Sequence, residues 1–246
     1  MKASSSFLKY FGILIFWLLI WEVAAFFINS TLIIVSPRIA FARLFWLGQT
    51  AVFWRSVATT IQHILLGFAL ALLIGIVIAV LSARFKLVYM LLSPAINVIN
   101  AVPFASFIVL ALFAMGASNI SIFVPFVMVL PVIFHNTHKG IVSTDPQLLE
   151  MANVFRVPYW KKLVYIYGKS VVPFILSAAQ VGIGFAWKSG ISAELIAQAN
   201  NTIGGNLHIA RIRLETADLF AWTIAIVLLS YCMEKLFALL FRRAHI

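Results

Sequence analysis

The chain is 246 residues long, 63% hydrophobic and only 10% charged, with a mean hydropathy of +1.06. An ordinary soluble globule carries roughly 25% charged residues, so that class is excluded. The formal net charge of +11 invites a nucleic-acid partner, but the basic residues gather at the ends of apolar runs. That is the positive-inside pattern of a membrane protein, and it leaves no nucleic-acid surface.

Crossing a hydrocarbon core about 30 Å thick takes around 20 helical residues. The runs are apolar throughout rather than alternating, which selects helices over a barrel. Six spans are predicted, over about 8–28, 57–81, 87–112, 120–138, 171–197 and 220–241. They form one transmembrane domain over 1–246, with a core over about 55–241 and a polar connector over about 140–170. The chain is therefore read as all-α and polytopic, embedded in a lipid bilayer.

The first run has Lys2 and Lys9 ahead of it and Ala24–Ala25 near its end, so a signal peptide is one reading. Because several spans follow, a retained first span is preferred. The third run holds Pro94 and Pro103 with Asn97 and Asn100 between them. Proline removes a backbone donor and clashes with the preceding turn, so a kink or break is expected there. The two asparagines either bond to neighbouring helices or line a water-filled path.

An even number of spans puts both termini on one side. Lys2, Lys9, Arg84, Lys86, Lys139, Arg156, Lys161, Lys162, Lys169, Lys235, Arg242 and Arg243 then oppose Arg38, Arg43, Arg55, Arg211 and Arg213, twelve against five. This bias places both termini in the cytoplasm.

The polar connector lies on the same side. Asp145 followed by Pro146 is a helix start: the carboxylate accepts from free N–H groups, and proline suits the first helical position. Leu148, Met151, Ala152 and Phe155 then fall on one face. Pro158 opens a second short helix over 159–167, with Lys161 and Lys162 directed to solvent or headgroups. Such a pair of helices is either an interfacial anchor or a docking element for a cytoplasmic partner.

Glu22, Lys188, Glu194, His63 and His135 fall in or beside apolar runs, where ionisable groups face the bundle interior or an aqueous path. Lys188 either attracts an anionic substrate or pairs internally with Glu22 or Glu194. The two histidines are expected to be satisfied by neighbouring helices. His135 and His138 are only a weak metal signal, and Cys232 is the single cysteine, so no metal site or disulfide is expected. Ala178, Gly182, Ala186 and Gly190 recur every four residues in the fifth run. They make a groove for helix packing, within the chain, across a two-fold axis or beside a pathway.

The run Asp145-Pro146-Gln147-Leu148-Leu149-Glu150-Met151-Ala152, leading to Pro173, resembles the EAA loop of ABC-importer permeases. Glu150 and Ala152 match, Met151 stands at the middle alanine, and Arg156 replaces the family's glycine. Gly168-Lys169 stands where Leu-Pro is usual. Val35-Ser36-Pro37, Ala101-Val102-Pro103 and the stretch from Ala186 to Glu194 extend the likeness to the nitrate/sulfonate/taurine-type branch.

The resemblance implies a type I (MetI-like) transmembrane domain with a cytoplasmic coupling helix between spans four and five. It implies contact with a separate ATPase through Asp145, Pro146, Leu149, Glu150, Met151, Ala152, Asn153 and Arg156, with Glu150 central. It also implies an extracytoplasmic substrate-binding protein, a second copy of the chain, and a bacterial inner-membrane location. Asn97, Asn100, Pro103, Lys188 and Glu194 are the candidates for the substrate pathway. No residue is assigned to catalysis. The sequence has no G-x-x-x-x-G-K-[ST] loop, so ATP and Mg belong to the partner, and this chain is expected to bind no cofactor. The expected cargo is a small nutrient such as a sulfonate, taurine or nitrate. The alternative is a self-contained channel or ion-coupled secondary transporter, whose inverted repeats and acidic coupling sites are not evident.

Overall fold

The computed structural model describes the backbone of residues 2–244 and the side chains of 11–117 and 119–240. The side chains of Lys2, Lys9, Arg242 and Arg243, counted in the cytoplasmic set above, lie outside the described residues. Among the described residues the chain is helical, with no strand.

Three long helices form the centre: α3 (Ala51–Arg84), α6 (Ala117–Val142) and α9 (Gly168–Ala197). Thr50 starts the first of them, its hydroxyl accepting from the Phe53 N–H at 3.3 Å. Ile64, Phe68, Val129, Ile133, Ile183 and Trp187 are buried where the three meet. The four-residue stripe on α9 is what lets them approach. A Cβ on Gly190 would lie 2.6 Å from Ile64 Cγ1 on α3, and one on Gly182 would lie 3.0 Å from Val129 Cγ1 on α6. The stripe therefore packs inside the chain, not across a two-fold axis.

The other helices are arranged around this centre. α1 (Lys2–Ile28) stands almost apart, and its apolar side chains from Phe11 onward are largely exposed. Trp21 holds it at one end, donating to the Val35 carbonyl at 2.9 Å and stacking on Phe220 at 5.5 Å. α2 (Pro37–Gly48) is joined to α11 (Thr216–Ala244) by Arg43, whose guanidinium donates through two nitrogens to the Asp218 carboxylate. That hydrogen bond raises the Arg43 pKa above its ordinary value.

The third predicted span is two helices, α4 (Lys86–Ala101) and α5 (Phe104–Met115), bent by 106°. The break falls at Pro103, while Pro94 is carried inside α4. A residue before proline is driven out of the helical region, and Val102 is extended at φ −79 and ψ 129. Among the described residues five helices are long and apolar enough to cross a membrane, or six if this pair is one broken span.

The connector holds the main departure from expectation. α7 (Pro146–Val154) forms as predicted, but the second short helix does not stand alone. Tyr159–Lys161 is a single helical turn (α8) that runs through a π-helical turn, Lys162–Tyr167, straight into α9. Tyr159–Ala197 is one 39-residue rod that contains a stretch apolar enough to cross a membrane. Nothing halts it: Pro158 provides a start, and no proline or positive-φ residue separates Tyr167 from Gly168. Past Ala197 a turn leads to α10 (Ile203–Ile212), at the opposite end of α9 from α7.

Candidate coupling site and transport pathway

Asp145 begins α7 by accepting the Gln147 N–H at 2.8 Å, with Pro146 as the first helical residue. The helix ends on a Schellman pair: Val157 N–H donates to Ala152 O at 2.9 Å, and Arg156 N–H to Asn153 O at 3.0 Å. This geometry needs a left-handed residue, usually glycine, and Arg156 supplies it at φ +49. The bend survives the replacement of glycine by arginine, with the steric cost of a Cβ in that region.

The apolar face of α7 does not turn inward. Ala152 is 1% exposed, but Phe155 is 74% and Val154 79% exposed, and Leu148 and Met151 are open as well. Glu150 is exposed beside them, and Leu149 is half-buried. Exposed apolar side chains of this kind suit either a partner protein or the membrane interface. Asn153 connects α7 to the bundle by accepting from Lys162 Nζ, on the π turn at the base of the α9 rod. α7 is thus tied to the base of the α9 rod by this hydrogen bond and by the short connector between them.

At the far end Glu194 is fully buried. One carboxyl oxygen accepts from Thr60 Oγ1 at 2.9 Å and from the Gly204 N–H at 3.1 Å. Thr60 Oγ1 also accepts the Ile203 N–H at 3.0 Å, and Thr202 Oγ1 the Gly205 N–H at 3.0 Å. The free N–H groups opening α10 are thereby satisfied by α3, α9 and the preceding turn. Gly204 and Gly205 are required there: added Cβ atoms would lie 2.4 Å from Glu194 Cβ and 1.9 Å from Ala199 O. The second carboxyl oxygen, Oε1, is enclosed without a hydrogen-bond partner among the described residues, and Glu194 exposes no surface to a solute.

Among the described residues Lys188 forms no ion pair. Glu22 instead lies 3.5 Å from Arg38, and Glu194 is bonded as above. Lys188 is exposed, about 14 Å along α9 from its Ala197 end at 1.5 Å per residue. It lines a cleft of about 390 Å³ with Gln180, Gly184 and Glu234 of α11. Asn97, Asn100 and Pro103 are also exposed, on the broken α4–α5 segment. His63 departs from expectation too: its Nδ1 is enclosed without a hydrogen-bond partner among the described residues. His138 stacks on Tyr89 at 4.5 Å.

The profile described as "Binding-protein-dependent transport system inner membrane component" matches residues 71–246. The chain belongs to this family. A probable ABC transporter permease of Brucella melitensis is 26% identical over 178 residues, which is 72% of each chain. A nitrate import permease of Synechocystis is 29% identical over 141 residues, 56% of this chain and 50% of that protein. A bicarbonate transport permease of Synechococcus elongatus is 25% identical over 145 residues, 58% of this chain and 52% of that protein. The chain is thus a multi-pass ABC-importer permease of the nitrate branch, with the all-helical type I fold.

Three residues that the fold brings to these sites, Glu234, Thr60 and Gly204, carry no assignment from the sequence. Glu234 is an acidic residue inside the last apolar run, and the rule that flagged Glu194 applies to it equally. Thr60 and Gly204 carried no such signal, because their role depends on a contact across the fold.

Proposed function

We propose that this permease passes a small anionic nutrient, of the sulfonate, taurine or nitrate kind, across the bacterial inner membrane by alternating access. A separate ATPase subunit docks on α7, and an extracytoplasmic binding protein delivers the solute at the α10 end. Two copies of the chain enclose the route, and both termini lie in the cytoplasm. ATP and Mg act on the ATPase. The observation that carries this reading is the exposed face of α7, with Leu148, Glu150, Met151, Val154 and Phe155 outward and Asn153 bonded to the rod of span five. Arg156 and the Asp145–Pro146 start hold that face in position.

The cleft with Lys188 supports the choice of an anion. A cation at membrane depth is costly unless it meets a partner or water, and Lys188 is directed away from its own core. Asn97, Asn100 and Pro103 belong to the same proposed route. Glu194 acts in it as a positioning residue, fixing α10 against α3.

The experiment is ATP-driven uptake and ATPase co-purification with Glu150→Ala. We expect both to fall about tenfold or more, equivalent to about 1.4 kcal/mol, with the melting temperature unchanged. Intact uptake and association would overturn the coupling role, and uptake by this chain reconstituted alone would establish a self-contained carrier instead. Lys188→Met is expected to reduce anion uptake while ATPase association stays intact. Unchanged uptake would remove Lys188 from the pathway.

A further inference from the structure

Gln180, Gly184 and Lys188 recur every four residues along α9, so they lie on one face of that helix. α11 passes this face and brings Glu234 to it. A Cβ added to Gly184 would lie 3.6 Å from Glu234 Oε1, so the carboxylate stands over the gap that the glycine leaves. Lys188 is one turn further along, about 6 Å at 1.5 Å per residue. Gly184 lies about 20 Å from the Ala197 end of α9 by the same measure, well inside a hydrocarbon core about 30 Å thick. The cleft that these residues line, about 390 Å³, falls in the lower part of the range for small-molecule sites, about 300–1,000 Å³.

Two charges of opposite sign thus share one cleft at membrane depth, and they do not meet. Among the described residues neither Lys188 nor Glu234 forms an ion pair, with each other or with any other group. Both are exposed. In a dry or lipid-facing recess such charges gain by closing on each other. A charge at this depth is otherwise tolerated only against a partner or water. Standing apart and open, the two fit a wet recess whose occupant answers both. Gln180 adds an amide that donates and accepts. A solute with an anionic group alone would meet Lys188 and leave the Glu234 carboxylate unanswered beside it. A solute with a cationic group alone would have the reverse fault.

We propose that Lys188 and Glu234 form one solute site of two signs, which takes a small zwitterion with its anionic group on Lys188 and its ammonium on Glu234. Glu234 is the residue that separates an amino-substituted acid from a simple anion of the same size. The inference rests on the proposed route through this cleft and narrows its cargo: inorganic anions and unsubstituted sulfonates answer only half of the site.

The test uses the full chain in nanodiscs and measures binding by saturation-transfer NMR. The probes are taurine, ethanesulfonate and ethylammonium, which share a two-carbon body and differ in charge. Taurine should bind about tenfold more tightly than either of the others, the order expected for one added hydrogen bond between charged groups. Glu234→Gln should bring taurine down to the level of ethanesulfonate, and Glu234→Asp should keep the preference. Lys188→Met should weaken both sulfonates. Gly184→Leu, which keeps both charges and fills the gap between them, should weaken taurine while the melting temperature holds. Equal binding of taurine and ethanesulfonate by the parent chain, no binding of taurine, or a preference that survives Glu234→Gln overturns the proposal. Separation of the chain into single copies on either charge substitution overturns it too, because the two charges would then pair between copies. If ethanesulfonate binding depends on Lys188 but taurine gains nothing, only this inference fails; if Lys188→Met changes neither sulfonate, the route through the cleft fails with it.

Discussion

The two ends of α9 are built on opposite principles. At the α10 end the chain bonds to itself: one oxygen of the Glu194 carboxyl, with Thr60 and Thr202, takes up the free N–H groups of α10, and the glycines let backbone meet side chain, although the other carboxyl oxygen is enclosed without a partner among the described residues. At the α7 end the helix is well formed but incomplete, with its apolar side chains turned to the outside and one bond returning to the bundle. A closed network resists change, because breaking any member leaves a buried group unpaired. An open face invites a partner, because the area it exposes is recovered only on docking. The contrast sets a bonded end against an open end within one helical rod.

Substitutions at each end sharpen the contrast. The largest effect is expected for Glu194→Ala, which orphans the Thr60 hydroxyl and the Gly204 N–H and leaves a cavity. At about 1–3 kcal/mol for each unsatisfied buried group, the loss should be about 4 kcal/mol, read as a lower melting temperature in detergent. A melting temperature like that of the parent would show that the lock is not what holds α10. Asp145→Ala should cost about 1 kcal/mol, the usual worth of an N-cap, and speed hydrogen exchange only within α7. Protection lost equally in α9 would mean that α7 and the rod unfold as one unit. The smallest effect is a gain: Arg156→Gly relieves a left-handed arginine worth about 1–2 kcal/mol. Part is offset by the greater freedom of glycine in the unfolded chain, so a net rise below about 1 kcal/mol is expected in the stability of the connector. A fall instead would show that the Arg156 side chain itself holds the bend.

Much of the α7 end was legible in the sequence. Asp145 and Pro146 are adjacent, and a cap acts within two or three residues, so the start of the helix could be read from neighbours alone. Arg156 was legible as a departure, but whether the bend tolerated it depended on the Schellman bonds to Ala152 and Asn153. The continuity from Tyr159 into α9 was missed because the basic residues Lys161, Lys162 and Lys169 resemble a surface segment. In the fold they ring the base of a long helix. The direction of the apolar face of α7 was also unreadable: a helical period shows that a face exists, not whether the chain or another molecule covers it.

The sequence by itself determined the membrane class, the helical architecture, a kink or break in the third span and the family, because these follow from hydropathy, local backbone sterics and short motifs; which of Pro94 and Pro103 breaks the helix was settled by the fold. Only the tertiary structure decided what Glu194 and Lys188 do. Both are ionisable residues of one apolar run, six positions apart. Glu194 meets Thr60, 134 residues away, and bonds to the start of α10; Lys188 is exposed and lines a cleft with Glu234. The physical reason is that a buried polar group takes its role from the partners packed against it, and those partners are set by which helices meet.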